Sequence, residues 1–297
     1  MRHLIYKEVN VRMKIIDSHI HFSNSEHFVN AAKNSEHIVT LEHLEMIFQQ
    51  SNIVLGIGMG VDGKDPAGGI SKPLTLGKEG LPPFLVQCLG IDTAAIRKET
   101  LNDTLDAFER MLNEKTTVGL KVYAGYQHFY VNDEIYHPFY EMAEAHDVPV
   151  VIHTGDTANS KALLKYAHPL TVDEVAVNFP RVRFVMAHYG NPWIADATEV
   201  ARKNENVYVD LSGLAEGIFN VNWFMQHYED YVNHMRMWMT YLGNYEKFIY
   251  GSDWPLVSMK AYISLIWRII PVEYHELVFW KNAESVFSRI KEVLPKE

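Results

Sequence analysis

Residues 14–22 read KIIDSHIHF, an apolar, β-branched run that looks built for burial. Asp17, His19 and His21 nonetheless fall on alternate positions, and alternate positions of a strand share one face. At about 3.3 Å per residue, two histidines two positions apart stand roughly 6–7 Å apart, so both can reach one ion at about 2.0–2.1 Å. That face is wet, satisfied by neighbours, or occupied by a metal. The rest of the chain bears on which.

Seven further runs of the same kind follow: NIVLGIGMG (52–60), PFLVQCLGID (83–92), TVGLKVYAG (117–125), PVVIHTG (149–155), RFVMAHYG (183–190), NVYVDLSG (206–213) and KFIYGSDWP (247–255). Segments with helical spacing and charged faces lie between them, among them ETLNDTLDAFERMLNEK and IADATEVARKNEN. Strands alternating with helices imply parallel pairing through crossovers. Eight such units in 297 residues fit a closed (β/α)8 TIM barrel with a parallel eight-stranded sheet. The expectation is one barrel domain over residues 14–297, with residues 1–13 as a short N-terminal extension.

Two connections after strand ends are long. Residues 61–82 are rich in Gly and Pro and read as an extended loop, while 214–246 is aromatic and Met-rich and reads as mainly helical. Both are candidate lids or substrate walls, because barrels of this kind keep their active sites at the C-terminal ends of the strands. The second serves equally as a packing or homo-oligomer contact.

Hydrophobic residues make up 47% and charged residues 22%, with a formal net charge of −10. An acidic balance argues against nucleic acid or an anionic membrane surface as partner and leaves a small-molecule substrate. No run of about 18 apolar residues suggests a span, and the N-terminus lacks the apolar core of a signal peptide. The single cysteine, Cys88, sits in an apolar run and reads as a packing residue; a cytoplasmic enzyme is the expectation.

His19, His21, His153 and His188 each lie at the C-terminal end of an expected strand, and Asp253 ends the eighth. One such histidine is ordinarily a bonded core residue; five ligand-type side chains at one end of the barrel are hard to assign to packing. His19 and His21 can converge on an ion, strand five adds His153, and Asp253 adds an anionic oxygen. Such a mixed N and O set suits Zn2+, with Mn2+, Co2+ or Fe2+ as alternatives. Lys121 holds the matching position on strand four, where a buried amine must be paired, neutral or modified. Asp17 either supports a histidine ring or caps a loop. Tyr123, Tyr126, Asp156, Tyr189 and Trp254 follow these groups and are expected pocket residues, as are, less directly, Thr154, Asn191 and Trp193.

The order HIH, then Lys in GLKVY, His in VIHTGD, His in MAHYG and Asp in GSDWP, followed by a terminal FWKNAESVFSR helix, resembles the amidohydrolase superfamily. In detail it is similar to the amidohydrolase-2 branch that holds amino-carboxymuconate-semialdehyde decarboxylase, γ-resorcylate decarboxylase and pyrone-dicarboxylate lactonase. The resemblance runs from about residue 14 to the end. It implies one metal bound by His19, His21, His153 and Asp253, with His188 acting on substrate or its water. In binuclear members the lysine matching Lys121 is carbamylated and bridges two metals; the mononuclear arrangement is favoured here.

The leading functional expectation is hydrolysis of a small amide, lactone or ester by a metal-activated water, whose pKa a divalent metal lowers from about 15.7 to about 7. His188 and Asp253 would be the catalytic groups moving protons. The alternative is nonoxidative decarboxylation (a lyase reaction) of an unsaturated or aromatic carboxylic acid at the same metal. A third is a non-catalytic metal- or ligand-binding barrel. Arginines that would hold a substrate carboxylate are scarce: Arg97 and Arg236 are the candidates near strand ends, with Lys64, Lys72 and Lys161 as other anchors.

Overall fold

The computed structural model describes residues 13–60, 70–71 and 80–294, for 70–71 the backbone alone. Eight strands form its frame: β1 (Ile15–Ile20), β2 (Ile53–Met59), β3 (Leu85–Ile91), β4 (Thr117–Val122), β5 (Val150–Ile152), β6 (Phe184–Met186), β7 (Val207–Asp210) and β8 (Phe248–Ile249). Each pairs in parallel with the next. The two ends are joined by single bonds: Ser18 N donates to Tyr250 O at 3.0 Å, and Asp253 N donates to His19 O at 2.8 Å. A parallel bridge links Ile20 to Trp254. The eight expected strands are all present, in a barrel closed by these contacts. A two-residue antiparallel addition, Ile70–Ser71, pairs with β3.

Alternation divides the strand side chains into two apolar layers. Ile16, Val86, Cys88, Val151, Val185 and Ile249 fill the barrel interior; Leu85, Leu89, Val150, Ile152, Phe184 and Met186 face the surrounding helices. Those helices are α1 (Glu26–Asn34), α2 (Leu41–Ser51), α3 (Leu101–Leu112), α4 (His137–Ala145), α5 (Thr171–Asn178), α6 (Ile194–Lys203), α7 (Val221–His227), α8 (Glu229–Leu242), α9 (Met259–Ile269) and α10 (Asn282–Val286). In α3 the buried Thr104, Ala107, Phe108, Met111 and Leu112 recur at helical spacing, the stripe that docks an amphipathic helix on a sheet. Thr40 starts α2 by accepting from His43 N, and Asn52 ends it in the left-handed conformation.

The terminal helix closes the interior. Ala283, Val286, Phe287 and Ile290 pack among the interior strand residues, and Arg289 donates to Leu112 O and to the O of Thr117, the first residue of β4. Cys88 is buried in this layer, which pushes its thiol up to about 12 and fits the expected packing role. The segment 214–246 is mainly helical, as expected, through α7 and α8. The extension expected before residue 14, apart from Met13, and most of the 61–82 loop with Lys64 and Lys72 lie outside the described residues. Among the described residues no helix is long and apolar enough to cross a membrane.

Candidate metal centre

The strands end earlier than the sequence pattern suggests, and the functional side chains stand at those ends. His19 and Lys121 are inside β1 and β4, while His21, His153, His188 and Asp253 lie just beyond the last paired residues of β1, β5, β6 and β8. There the chain leaves strand geometry: His188 has φ 61° and Asp253 φ 65°. A left-handed non-glycine residue costs roughly 1–2 kcal/mol. The turns are held by bonds from Asp253 N to His19 O and from Asn191 N to His188 O.

Partners fix the ring tautomers. His19 Nδ1 is paired with the buried Asp210 carboxylate. Burial alone would raise the Asp210 pKa, but His19, His188 and Ser212 hold it below the usual carboxylate range. An ionised carboxylate only accepts, so His19 carries its proton on Nδ1 and leaves the Nε2 lone pair facing the cluster. His153 Nε2 faces the Asp156 carbonyl at 2.8 Å. It therefore donates there and keeps its lone pair on Nδ1, which lies 3.1 Å from His188 Nε2. His188 must then donate from Nε2, and its Nδ1 accepts from the Ser212 hydroxyl at 2.9 Å.

Burial lowers the pKa of all four rings, pushing His188 down to about 4. Asp253, facing His188, His21 and His19, is held far below its ordinary value despite burial. At neutral pH the mouth thus presents neutral imidazoles and ionised carboxylates, the protonation state that metal ligands need. Lys121, fully buried, is lowered to about 8 by desolvation and opposed by Asp210 and Asp253. Its Nζ lies 3.4 Å from His19 Nε2 and 5.1 Å from the Tyr123 ring centre.

Asp253 Oδ1 is the atom that tests the fit. It is buried and makes no hydrogen bond of acceptable geometry, although His21 Nε2 stands 3.1 Å away and His19 Nε2 3.7 Å. An unbonded buried carboxylate oxygen is costly, and two ring nitrogens gathered round it match a shared cation. Ligand atoms of His19, His188 and Asp253 all lie within 4.8 Å of one another. The donor set is nitrogen and oxygen without sulfur, suited to a divalent metal.

The other expected residues divide. Tyr126 packs on His153 with ring centres 4.9 Å apart, Tyr123 lies 6.4 Å from His21, and Asp156 holds His153 through its carbonyl. Tyr189 and Trp254 are not at the opening. Tyr189 is fully buried, its hydroxyl on Thr198 and its ring against Phe248; Trp254 is fully buried and stacks on Phe22. Each follows a residue with positive φ, where the chain swings the next side chain into the core. Asp17 supports no histidine ring: its Oδ1 accepts from Ser252 N at 2.9 Å and joins β1 to the turn after β8. Arg236 is spent on the Arg268 carbonyl, and Arg97 and Lys161 are exposed, Lys161 accepting from His128 through its carbonyl.

Sequence reasoning missed Asp210, Ser212 and Phe28, which stacks on His21 at 4.8 Å. Asp210 had the same signal as the others, a ligand-type residue at a strand end in VYVDLSG.

Comparison with known proteins gives this arrangement its class. The family model Amidohydro_2, described as Amidohydrolase, matches residues 93–289. The chain belongs to this amidohydrolase family and is an enzyme of it. No curated protein matches the sequence significantly. The TIM-barrel protein Bb4693 of Bordetella bronchiseptica superposes with a TM-score of 0.68 at 17% identity, covering 94% of this chain and 100% of that one. A probable 2-pyrone-4,6-dicarboxylic acid hydrolase of Acinetobacter baumannii gives 0.59 at 15%, covering 93% and 100%. A dihydroxybenzoic acid decarboxylase of Polaromonas sp. JS666, with bound manganese and the inhibitor 2-nitroresorcinol, gives 0.59 at 14%, covering 95% and 99%. Dihydroxybenzoate decarboxylases recur among the similar structures, and one amidohydrolase among them holds zinc.

Proposed function

We propose that this enzyme catalyses metal-dependent, nonoxidative decarboxylation of an aromatic carboxylic acid. The observation that carries the metal-dependent half is Asp253 Oδ1, buried and unbonded beside two histidine nitrogens. His19, His21 and Asp253 would hold one metal, zinc or manganese, with His153 as a fourth ligand once its Nδ1 lone pair gives up the bond from His188 Nε2. When bound, the metal polarises a substrate oxygen as a Lewis acid. What supports decarboxylation over the hydrolysis expected first is the recurrence of decarboxylases among the structures of this fold, together with an aromatic setting: Phe28, Tyr123 and Tyr126 border the histidines.

In that reaction the C–C bond to the carboxylate breaks, its electron pair stays on the ring carbon, and that carbon takes a proton. His188, neutral at pH 7 because burial pushes it to about 4, is a relay that accepts a proton and passes it on. Lys121 supplies positive charge beside His19, and Phe28 and Tyr126 brace the His21 and His153 rings. Hydrolysis at the same ligands is the second reading, favoured by the family description. We place the reaction in the cytoplasm on a small-molecule substrate, within a single domain beginning near residue 14.

Metal analysis of the purified protein and a substrate panel test the reading. About one zinc or manganese per chain and CO2 release from hydroxylated benzoic acids are expected. Acid release from lactones or esters without CO2 would overturn decarboxylation in favour of hydrolysis. Two metals per chain would make Lys121 a bridging ligand.

A further inference from the structure

The turn that leaves β7, Asp210-Leu211-Ser212-Gly213, touches both working histidines at once. Asp210 Oδ2 accepts from His19 Nδ1, and its Oδ1 accepts from Ser212 N at 2.6 Å. Ser212 Oγ donates to His188 Nδ1 at 2.9 Å. Gly213, at φ 65°, lies so close that a Cβ there would stand 2.7 Å from His188 Nδ1 and 3.1 Å from Asp253 Oδ2. Gly251 makes room from the other side, where a Cβ would meet His19 Cβ at 2.8 Å and Asp210 Oδ1 at 3.1 Å.

We infer that this turn is an orienting element of the site: Asp210 sets the tautomer of His19, and Ser212 holds the ring of His188, 5.0 Å away, in the opposite tautomer that His153 selects. Asp210 leaves His19 with a bare Nε2, the form that binds metal. Ser212 donates to His188 Nδ1 and so holds that ring in the Nε2–H form that His153 Nδ1 demands, the form that carries a proton. The two oxygens of Asp210 tie the assignments together, because the carboxylate that holds His19 also holds the backbone of the serine that holds His188. Asp210 and Ser212 are positioning residues, and the roles they set rest on the metal reading above.

The tautomers can be read without activity. In protein labelled with 15N-histidine, long-range proton–nitrogen spectra of the rings, assigned with H19N and H188N, should show His19 protonated on Nδ1 and His188 on Nε2. D210A should erase the first pattern and, by freeing the Ser212 backbone, loosen the second; S212A should raise the share of His188 protonated on Nδ1 and spare the first. D210N keeps an acceptor oxygen, so it should retain the His19 tautomer; D210L, which fills the space without an acceptor, replaces D210A if that protein does not fold. Titration with Zn2+ should show metal affinity about 10- to 100-fold weaker in D210A and within about twofold of wild type in S212A. Either ring in the other tautomer in wild-type protein, or D210A and S212A proteins that leave both unchanged, would overturn the orienting role. The inferred tautomers without metal uptake by the wild type would overturn the metal reading instead.

Discussion

The two ends of one barrel are built on opposite principles. At the floor, Ala283 and Val286 of α10 and Phe287 and Ile290 just after it meet the interior faces of the strands, and the contacts are apolar. At the mouth the strands present four histidines, two aspartates and a lysine, nearly all buried. Hydrophobic burial is worth about 25 cal/mol per Å², whereas burying charge costs energy unless it is paired. The floor therefore holds the fold together and the mouth draws on that stability. A barrel can keep reactive groups at one end because the other end is closed by packing.

The largest expected effect is at the mouth. Asp253→Asn removes the anionic oxygen that His19 and His21 face, and it should abolish metal retention and lower CO2 release by on the order of 10³-fold, with the far-UV spectrum unchanged. Metal bound at wild-type affinity would show that the cluster is not organised around this carboxylate.

Phe287→Ala should do the reverse. Deleting a ring that is 1% exposed from the floor should cost about 3–5 kcal/mol of stability, read by urea denaturation. The folded fraction should bind metal within a few-fold of wild type. A change in metal affinity as large as that of Asp253→Asn would break the separation of the two ends.

A somewhat smaller effect concerns the cost of charge at the mouth. Burial lowers Lys121 from 10.5 to about 8, so folding favours its neutral form. Above pH 10.5 the lysine is neutral in both states and carries no penalty. As the pH falls toward 8 the unfolded chain binds the proton first, and stability is lost by roughly 3 kcal/mol. Lys121→Met should remove this dependence, so that the variant gains on the wild type between pH 10 and 8 in metal-free buffer. A constant difference across that range would mean that Lys121 is paired more strongly than its neighbours Asp210 and Asp253 indicate.

The eight strands, their parallel order and the five ligand-type residues at their ends were legible because each depends on local pattern. Alternating apolar runs bounded by Gly and Pro mark strands, and a polar residue at the end of such a run is conspicuous. Tyr189 and Trp254 were misread because φ at the preceding residue, which turns their rings inward, depends on loops closing from other strands. For Asp17 the sequence left a ring partner and a loop cap both open, and the structure chose the cap for a related reason. Its position on the His19 face of β1 suggested a ring partner, but the nearer donor is the backbone of Ser252, 235 residues away.

By itself the sequence determined the fold class and most of the ligand-type residues of the candidate site: a parallel barrel, and histidines and an aspartate at one end of it. It could do so because hydrophobic periodicity and residue type are properties of the chain alone. Only the tertiary structure decided which nitrogen of each ring faces the cluster. That choice is made by Asp210 across 191 residues from His19, and by the Asp156 carbonyl on His153, which passes it on to His188. A tautomer is set by the partner on the far side of the ring, and that partner becomes a neighbour only when the barrel closes.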